Sequence, residues 1–194
     1  MIHPPETFAT ERLLLRRPTL ADAQAIFEEY AGDPEVTKFL AWHPHRNIED
    51  TRAFLAKAES QWQSGRRFAW ALTQRGTEHV IGMVGCGVRA WQADLGYVLG
   101  RNFWGQSLML EAVAEVIGWL LEQPSVFRVW AVCDTEHRAS ARVLEKAGMQ
   151  REGVLRRFMV HPNISSEPRD CLCYSRVRGA AVPQMPLQDV TRGR

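Results

Sequence analysis

The stretch LGYVLGRNFWGQSLMLEAVA, residues 95–114, decides how this chain is read. Residues 95–99 make a strand and GRNFWGQS a turn. From Ser107 to about Glu122 the polar positions Glu111, Glu115, Gly118 and Glu122 recur at helical spacing, opposite Leu108, Ala112, Val116 and Leu120. A strand, a tight turn and a helix in succession leave the first helical amides without backbone partners. Such an end suits a phosphate or pyrophosphate, each charge gaining ~0.3–1 kcal/mol from the helix dipole. An ordinary strand-to-helix turn has the same pattern, so the flanking sequence has to decide.

Downstream, residues 127–133 read as a strand and 138–147 as a helix stopped by Gly148 just past its end; 155–160 and 170–177 are two last strands around a PNISSEP turn. Upstream, residues 13–17 make a first strand, and Thr19 with Asp22 starts a helix running to about Gly32. Asn47 and Asp50 start a second helix, with Ile48, Phe54, Leu55, Ala58 and Trp62 on one face and Gly65 at its end. Alternation over 67–72 and 80–88 predicts a hairpin. The sum is a mixed α/β (α+β) domain over residues 1–179, a seven-stranded sheet flanked by about four helices, with ligands at the carboxyl ends of the strands. Residues 180–194 lose all periodicity and read as a disordered tail.

Of the 194 residues, 45% are apolar and 24% charged, which predicts a packed domain. The 24 basic and 22 acidic residues leave a net charge of +2, giving no reason to expect nucleic acid or an anionic membrane as partner. The most apolar run, residues 108–121, is broken by Glu111 and Glu115 and falls short of the ~20 residues a spanning helix needs. The opening MIHPPETFATE lacks the pattern of a secretory signal, so a cytoplasmic address with reduced cysteines is expected, and the Asn163 sequon carries no weight. Cys86, Cys133, Cys171 and Cys173 lack metal-site spacing, and His43 and His45 have no third ligand nearby; no metal is expected.

Several blocks together resemble the GNAT superfamily of N-acetyltransferases, and within it the RimJ/RimL-type branch. TERLLLRRPTLADA (10–23) is similar to that branch's opening, LGYVLGRNFWGQSLMLEA to its acetyl-CoA loop, CDTEHRASARVLEKAGMQREG (133–153) to its second cofactor motif and RDCLCYSRVR (169–178) to its last strand. The resemblance spans about residues 8–178. It implies a sheet splayed between its fourth and fifth strands to admit pantetheine. It further implies that Phe103, Trp104, Gly105, Gln106, Ser107 and Leu108 present amides to the pyrophosphate of acetyl-CoA, and that the backbone near Val98 and Leu99 holds the thioester. Two positions depart from the family pattern: Ser107 stands where Gly is usual, and Met109 where Gly or Ala is.

Many members carry a Tyr, donor to the departing thiolate, where this chain has Leu144; in the RimL-like branch a Ser resembling Ser140 takes that role. His137 stands in place of the usual Asn, as a pantetheine contact or a helix cap. The expected reaction is direct transfer to an uncharged amine. Neutralising an α-amino group at pH 7 costs about 1 kcal/mol and a lysine about 4.6, which favours a peptide N-terminus over a side chain, with small amines also open. Asp94 and Asp134 are the candidate bases, and Phe39, Trp42 and His43, in the loop 39–47, the expected acceptor pocket. A monomer or homodimer is expected.

Two other readings remain at this level. Gly105-Gln106-Ser107-Leu108-Met109 approaches the G-x-S-x-G elbow of serine hydrolases, with Ser107 as nucleophile and Asp134 and His137 or His161 following in hydrolase order. Ser107, Met109 and Leu144 together would also suit a CoA-binding module without turnover. Gly85, Gly87 and Ala90 spell a dinucleotide fingerprint, but the strand pattern runs on where a helix should open.

Overall fold

A computed structural model of the chain describes residues 2–179; the sequence-predicted tail lies outside them. Eight strands form one sheet in the order β1-β2-β3-β4-β5-β6-β8-β7: β1 (Thr7–Ala9), β2 (Leu13–Arg16), β3 (Arg67–Gln74), β4 (Val80–Arg89), β5 (Gln92–Leu99), β6 (Arg128–Asp134), β7 (Gln150–Val160) and β8 (Pro168–Val177). The helices are α1 (Ala23–Ile26), α2 (Pro34–Thr37), α3 (Ile48–Gln63), α4 (Leu108–Glu122) and α5 (Arg138–Lys146). A π-type turn, Phe27–Ala31, continues α1. The expected seven strands become eight and the four helices five, because the three-residue β1 and the four-residue α2 are too short to show a period.

Alternation along β3 divides the core. Phe68, Trp70 and Leu72 pack on one face with Leu108, Ala112, Val116 and Leu120 of α4, while Ala71 packs on the other with Ile26, Tyr30 and Leu55. Small residues on that second face let α1 and α3 approach the sheet. In α3 the expected inward Phe54 is exposed, and Thr51 is buried instead, hydrogen-bonded to the His45 ring. Among the described residues no helix is long and apolar enough to cross a membrane.

All neighbouring strands run antiparallel except β5 and β6. Those two pair only over Gln92–Asp94 and Arg128–Trp130. Beyond these pairs β5 stays with β4 as far as Leu99, and β6 with β8 as far as Asp134. The result is a wedge-shaped cleft walled by residues 95–99 and 131–134. It opens between the fourth and fifth of the strands expected from the sequence. The α4 crossover links its two walls.

Candidate functional site

At the wide end of the cleft β5 passes through Gly100 into a tight turn, Arg101–Phe103. The Phe103 amide donates to Gly100 O (3.0 Å) and that of Trp104 to Arg101 O (3.1 Å). These two expected phosphate donors are therefore taken up by the turn itself. Among the described residues, unpaired amides begin at Gly105 and continue through Gln106, Ser107 and Leu108 into the first turn of α4. Gly105 (φ +77°) and Ser107 (φ +60°) both adopt the left-handed conformation that aims successive amides at one side. Glycine takes it freely, whereas serine holds it at a cost of about 1 kcal/mol. Arg12 fixes the loop from outside, donating Nη1 to Gln106 O (3.0 Å).

Gly100 N donates to Ile81 O (2.8 Å). The alternation of an antiparallel ladder then turns the main chain of Val98 toward β4, and that of Tyr97 and Leu99 into the cleft. Val98 is thus displaced as a main-chain contact for a thioester by its neighbours. Leu99 O already accepts the Trp104 indole N–H (2.8 Å), so Leu99 offers its amide.

Across the cleft, Ser140 lies in the first turn of α5 and is buried. Its Oγ sits 2.8 Å from the Tyr97 hydroxyl, which also lies 3.2 Å from Ser140 O. Nearby on β6, burial pushes the Cys133 thiol up to about 11, with the Ser140 hydroxyl opposing the rise. One turn further, Leu144 is wholly buried in the core.

His137 heads α5 without a side-chain capping bond. Its ring stacks on Phe39 at 4.5 Å, and burial lowers its pKa to about 4, so it is neutral near pH 7. Asp134, at the end of β6, is fully buried and accepts Arg169 Nε (2.6 Å) and the Glu136 amide (2.8 Å). Burial would raise this carboxyl, but Arg169 and Glu136 outweigh it and hold it below the usual carboxylate range. So held, it is a weak base. Asp94 pairs with Arg67 (2.6 Å) on the closed stretch of the β5–β6 ladder; a side chain at Gly87 would strike its carboxylate at 2.6 Å. Among the described residues neither aspartate hydrogen-bonds Ser140.

The aromatic loop 39–47 is stapled in place by Asn163, in the β7–β8 turn. Asn163 Nδ2 donates to Thr37 O (2.7 Å) and Trp42 O (2.8 Å), and its Oδ1 meets His43 Nδ1 at 2.9 Å. His45 instead bonds Thr51, so the two loop histidines serve different partners. Below the loop, buried His161 lies 3.8 Å from Asp134, its Nδ1 unpartnered among the described residues. Ser107 is exposed, and no histidine bonds its hydroxyl among the described residues, which removes the geometry a hydrolase triad requires. Tyr97 and Asn163 were not anticipated from sequence as site residues.

Residues 12–150 match the model of the acetyltransferase (GNAT) domain family. The uncharacterized N-acetyltransferase YoaA of Bacillus subtilis (strain 168) is 31% identical over 172 residues, covering 87% of this chain and 95% of that protein. A crystal structure of a putative acetyltransferase from T. thermophilus superposes with a TM-score of 0.78 at 29% identity, covering 92% of each chain. RimL, a ribosomal L7/L12 alpha-N-protein acetyltransferase solved in complex with coenzyme A, gives a TM-score of 0.79. Its identity is 17%, over 91% of this chain and 100% of that one, a likeness of fold alone.

Proposed function

We propose a function from the premise that this chain belongs to the GNAT family of acetyltransferases: it transfers the acetyl group of acetyl-CoA directly to an amine, with a peptide N-terminus as the preferred acceptor. One observation carries the reading. The cleft has unpaired amides of Gly105–Leu108 at its phosphate end and the buried Ser140 hydroxyl in its wall. A solved neighbour of the same fold holds coenzyme A.

In this reading the pyrophosphate lies on the amides from Gly105 into α4, gaining both hydrogen bonds and the positive helix end. Pantetheine runs between the walls, and the Leu99 amide polarises the thioester carbonyl. The neutral amine, entering under Phe39 and Trp42, attacks the carbonyl carbon. The C–S bond breaks, Ser140 donates toward the departing sulfur, and the amine's excess proton leaves to water. No strong base is needed when the acceptor is an α-amino group, whose neutralisation at pH 7 costs about 1 kcal/mol. This fits a site whose Asp134 is held ionised by Arg169. The acceptor preference is also consistent with RimL, named for N-terminal acetylation. The four free, buried thiols suit a reducing cytoplasm.

The test is a panel of amines, including peptides with varied N-termini, assayed for free thiol and acetylated product by mass spectrometry. If acetyl-CoA raises Tm but no amine releases thiol, the chain is a CoA-binding module. Ser140→Ala should lower kcat more than it weakens acetyl-CoA binding; equal losses would make Ser140 a cofactor contact only.

A further inference from the structure

The Ser140 side chain faces a choice that the helix alone would settle against catalysis. A serine in a helix tends to donate its proton back to a carbonyl one turn earlier, leaving none for a ligand. Here the partner of Ser140 Oγ at 2.8 Å is instead the phenol of Tyr97, which comes from the opposite wall of the cleft. Tyr97 lies past the last β5–β6 pair, on the stretch whose main chain also faces the gap. Its ring packs against the main core, so the hydroxyl is delivered by a fixed stem.

We propose that Tyr97 is a positioning residue for the leaving-group hydroxyl: it donates its phenolic proton to Ser140 Oγ and so leaves the serine proton directed into the cleft. The inference rests on the reading of Ser140 given above. The phenol lies 2.8 Å from Ser140 Oγ, where either hydroxyl can donate, and 3.2 Å from Ser140 O, which can only accept; in the proposal the one phenolic proton goes to the shorter contact. Burial raises the phenol well above its ordinary pKa, so it remains a donor at any working pH. As sulfur becomes anionic, the Ser140 proton moves toward it, and the Tyr97 proton strengthens its bond to Oγ. No proton need leave Tyr97 for this. The chain of two hydroxyls polarises Ser140 in the direction the leaving group needs.

The experiment begins with a readout independent of the acceptor. Coenzyme A is bound to the wild-type protein, Tyr97→Phe and Ser140→Ala, and its thiolate absorbance is followed against pH, with each protein alone subtracted. Both variants should move the bound thiol's titration upward, Tyr97→Phe by about one unit, the equivalent of a tenfold change. With an acceptor from the panel, Tyr97→Phe should lower kcat about tenfold, with KM for acetyl-CoA unchanged within twofold. Adding Tyr97→Phe to Ser140→Ala should cost nothing further. An unmoved thiol titration in Tyr97→Phe, or an equal further loss on the Ser140→Ala background, overturns the proposal while leaving Ser140 in its role. Full kcat and an unmoved thiol titration in Ser140→Ala would overturn both.

Discussion

Replacing Glu111 by Gln should destabilise the protein and loosen the Gly105–Leu108 loop, because one carboxylate ties the β1–β2 turn to the start of α4. Its Oε1 accepts the Thr10 hydroxyl and the Arg12 amide (2.8 Å); its Oε2 accepts Arg12 Nε (2.8 Å) and lies 2.7 Å from Nη2. Glutamine keeps one acceptor oxygen but turns an amide N–H₂ toward the guanidinium. A hydrogen bond to a charged group contributes roughly 1.5–3 kcal/mol, and an ion pair to a half-exposed arginine less than ~1. The expected loss is therefore about 2 kcal/mol, or a fall of about 4–8 °C in Tm for a chain of this size. Burial would raise the Glu111 carboxyl, but Thr10 and Arg12 hold it below its ordinary value. A carboxyl depressed on folding stabilises above its unfolded pKa, about 4.3, and that contribution fades as pH falls. Melting curves of wild type and variant should thus differ fully at pH 7 and converge below about pH 4. A difference under about 1 °C at pH 7, or one that persists unchanged in acid, would refute the reasoning. Because Arg12 also holds Gln106 O, acetyl-CoA binding should weaken several-fold with kcat unaltered.

Asp94→Asn should keep kcat within twofold and cost no more than ~1 kcal/mol, as a part-exposed partner of Arg67 would; a tenfold fall in kcat would restore it as a base. Phe39→Ala should rehydrate His137 and raise its pKa from about 4, measured by NMR titration of the ring. Since an unfolded histidine titrates near ~6.5, the unfolded chain takes up more protons between that pH and about 4. This contribution to stability, present above ~6.5, is lost as pH falls through that window, and the variant should show a shallower loss. An unmoved titration would mean that Phe39 does not bury the ring. Arg169→Met leaves Asp134 buried without its guanidinium and should cost about 3 kcal/mol in urea unfolding; a loss under ~1 would show that the carboxylate finds water.

The legible parts of the fold were those whose period repeats. Helix α4 could be read because four polar and four apolar positions agree over four turns, and the β3–β4 hairpin because large residues alternate with small ones. What stayed hidden was short or long-range. In β1 only Phe8 is buried, and a single apolar residue has no period. Phe54 of α3 is exposed against expectation and Thr51 is buried, because the polar residue finds a hydrogen-bond partner in His45, which no helical wheel contains. The resemblance assigns the Phe103 and Trp104 amides to a ligand because it carries the loop as a unit. The tight turn that directs them to Gly100 O and Arg101 O has no signature in the residue types.

The site divides in the same way. Residues on one helix keep their spacing, so Ser140 and Leu144, four apart, necessarily share a face. With Leu144 sunk in the core, Ser140 lies one turn nearer the N-terminus of α5, at the cleft. Many members of the family supply a phenol from the helical position that Leu144 fills. Here a phenol reaches the same cleft from the facing strand, through Tyr97, across 43 residues of sequence. Asn163, which staples the aromatic loop from 121 and 126 residues away, was invisible for the same reason. Neither contact has a local signature, since each requires two walls that meet only after the sheet has formed. The wedge between β5 and β6 sets the two walls so that the Tyr97 phenol meets the Ser140 hydroxyl across it, so under the proposed function Leu144 does not by itself argue against turnover.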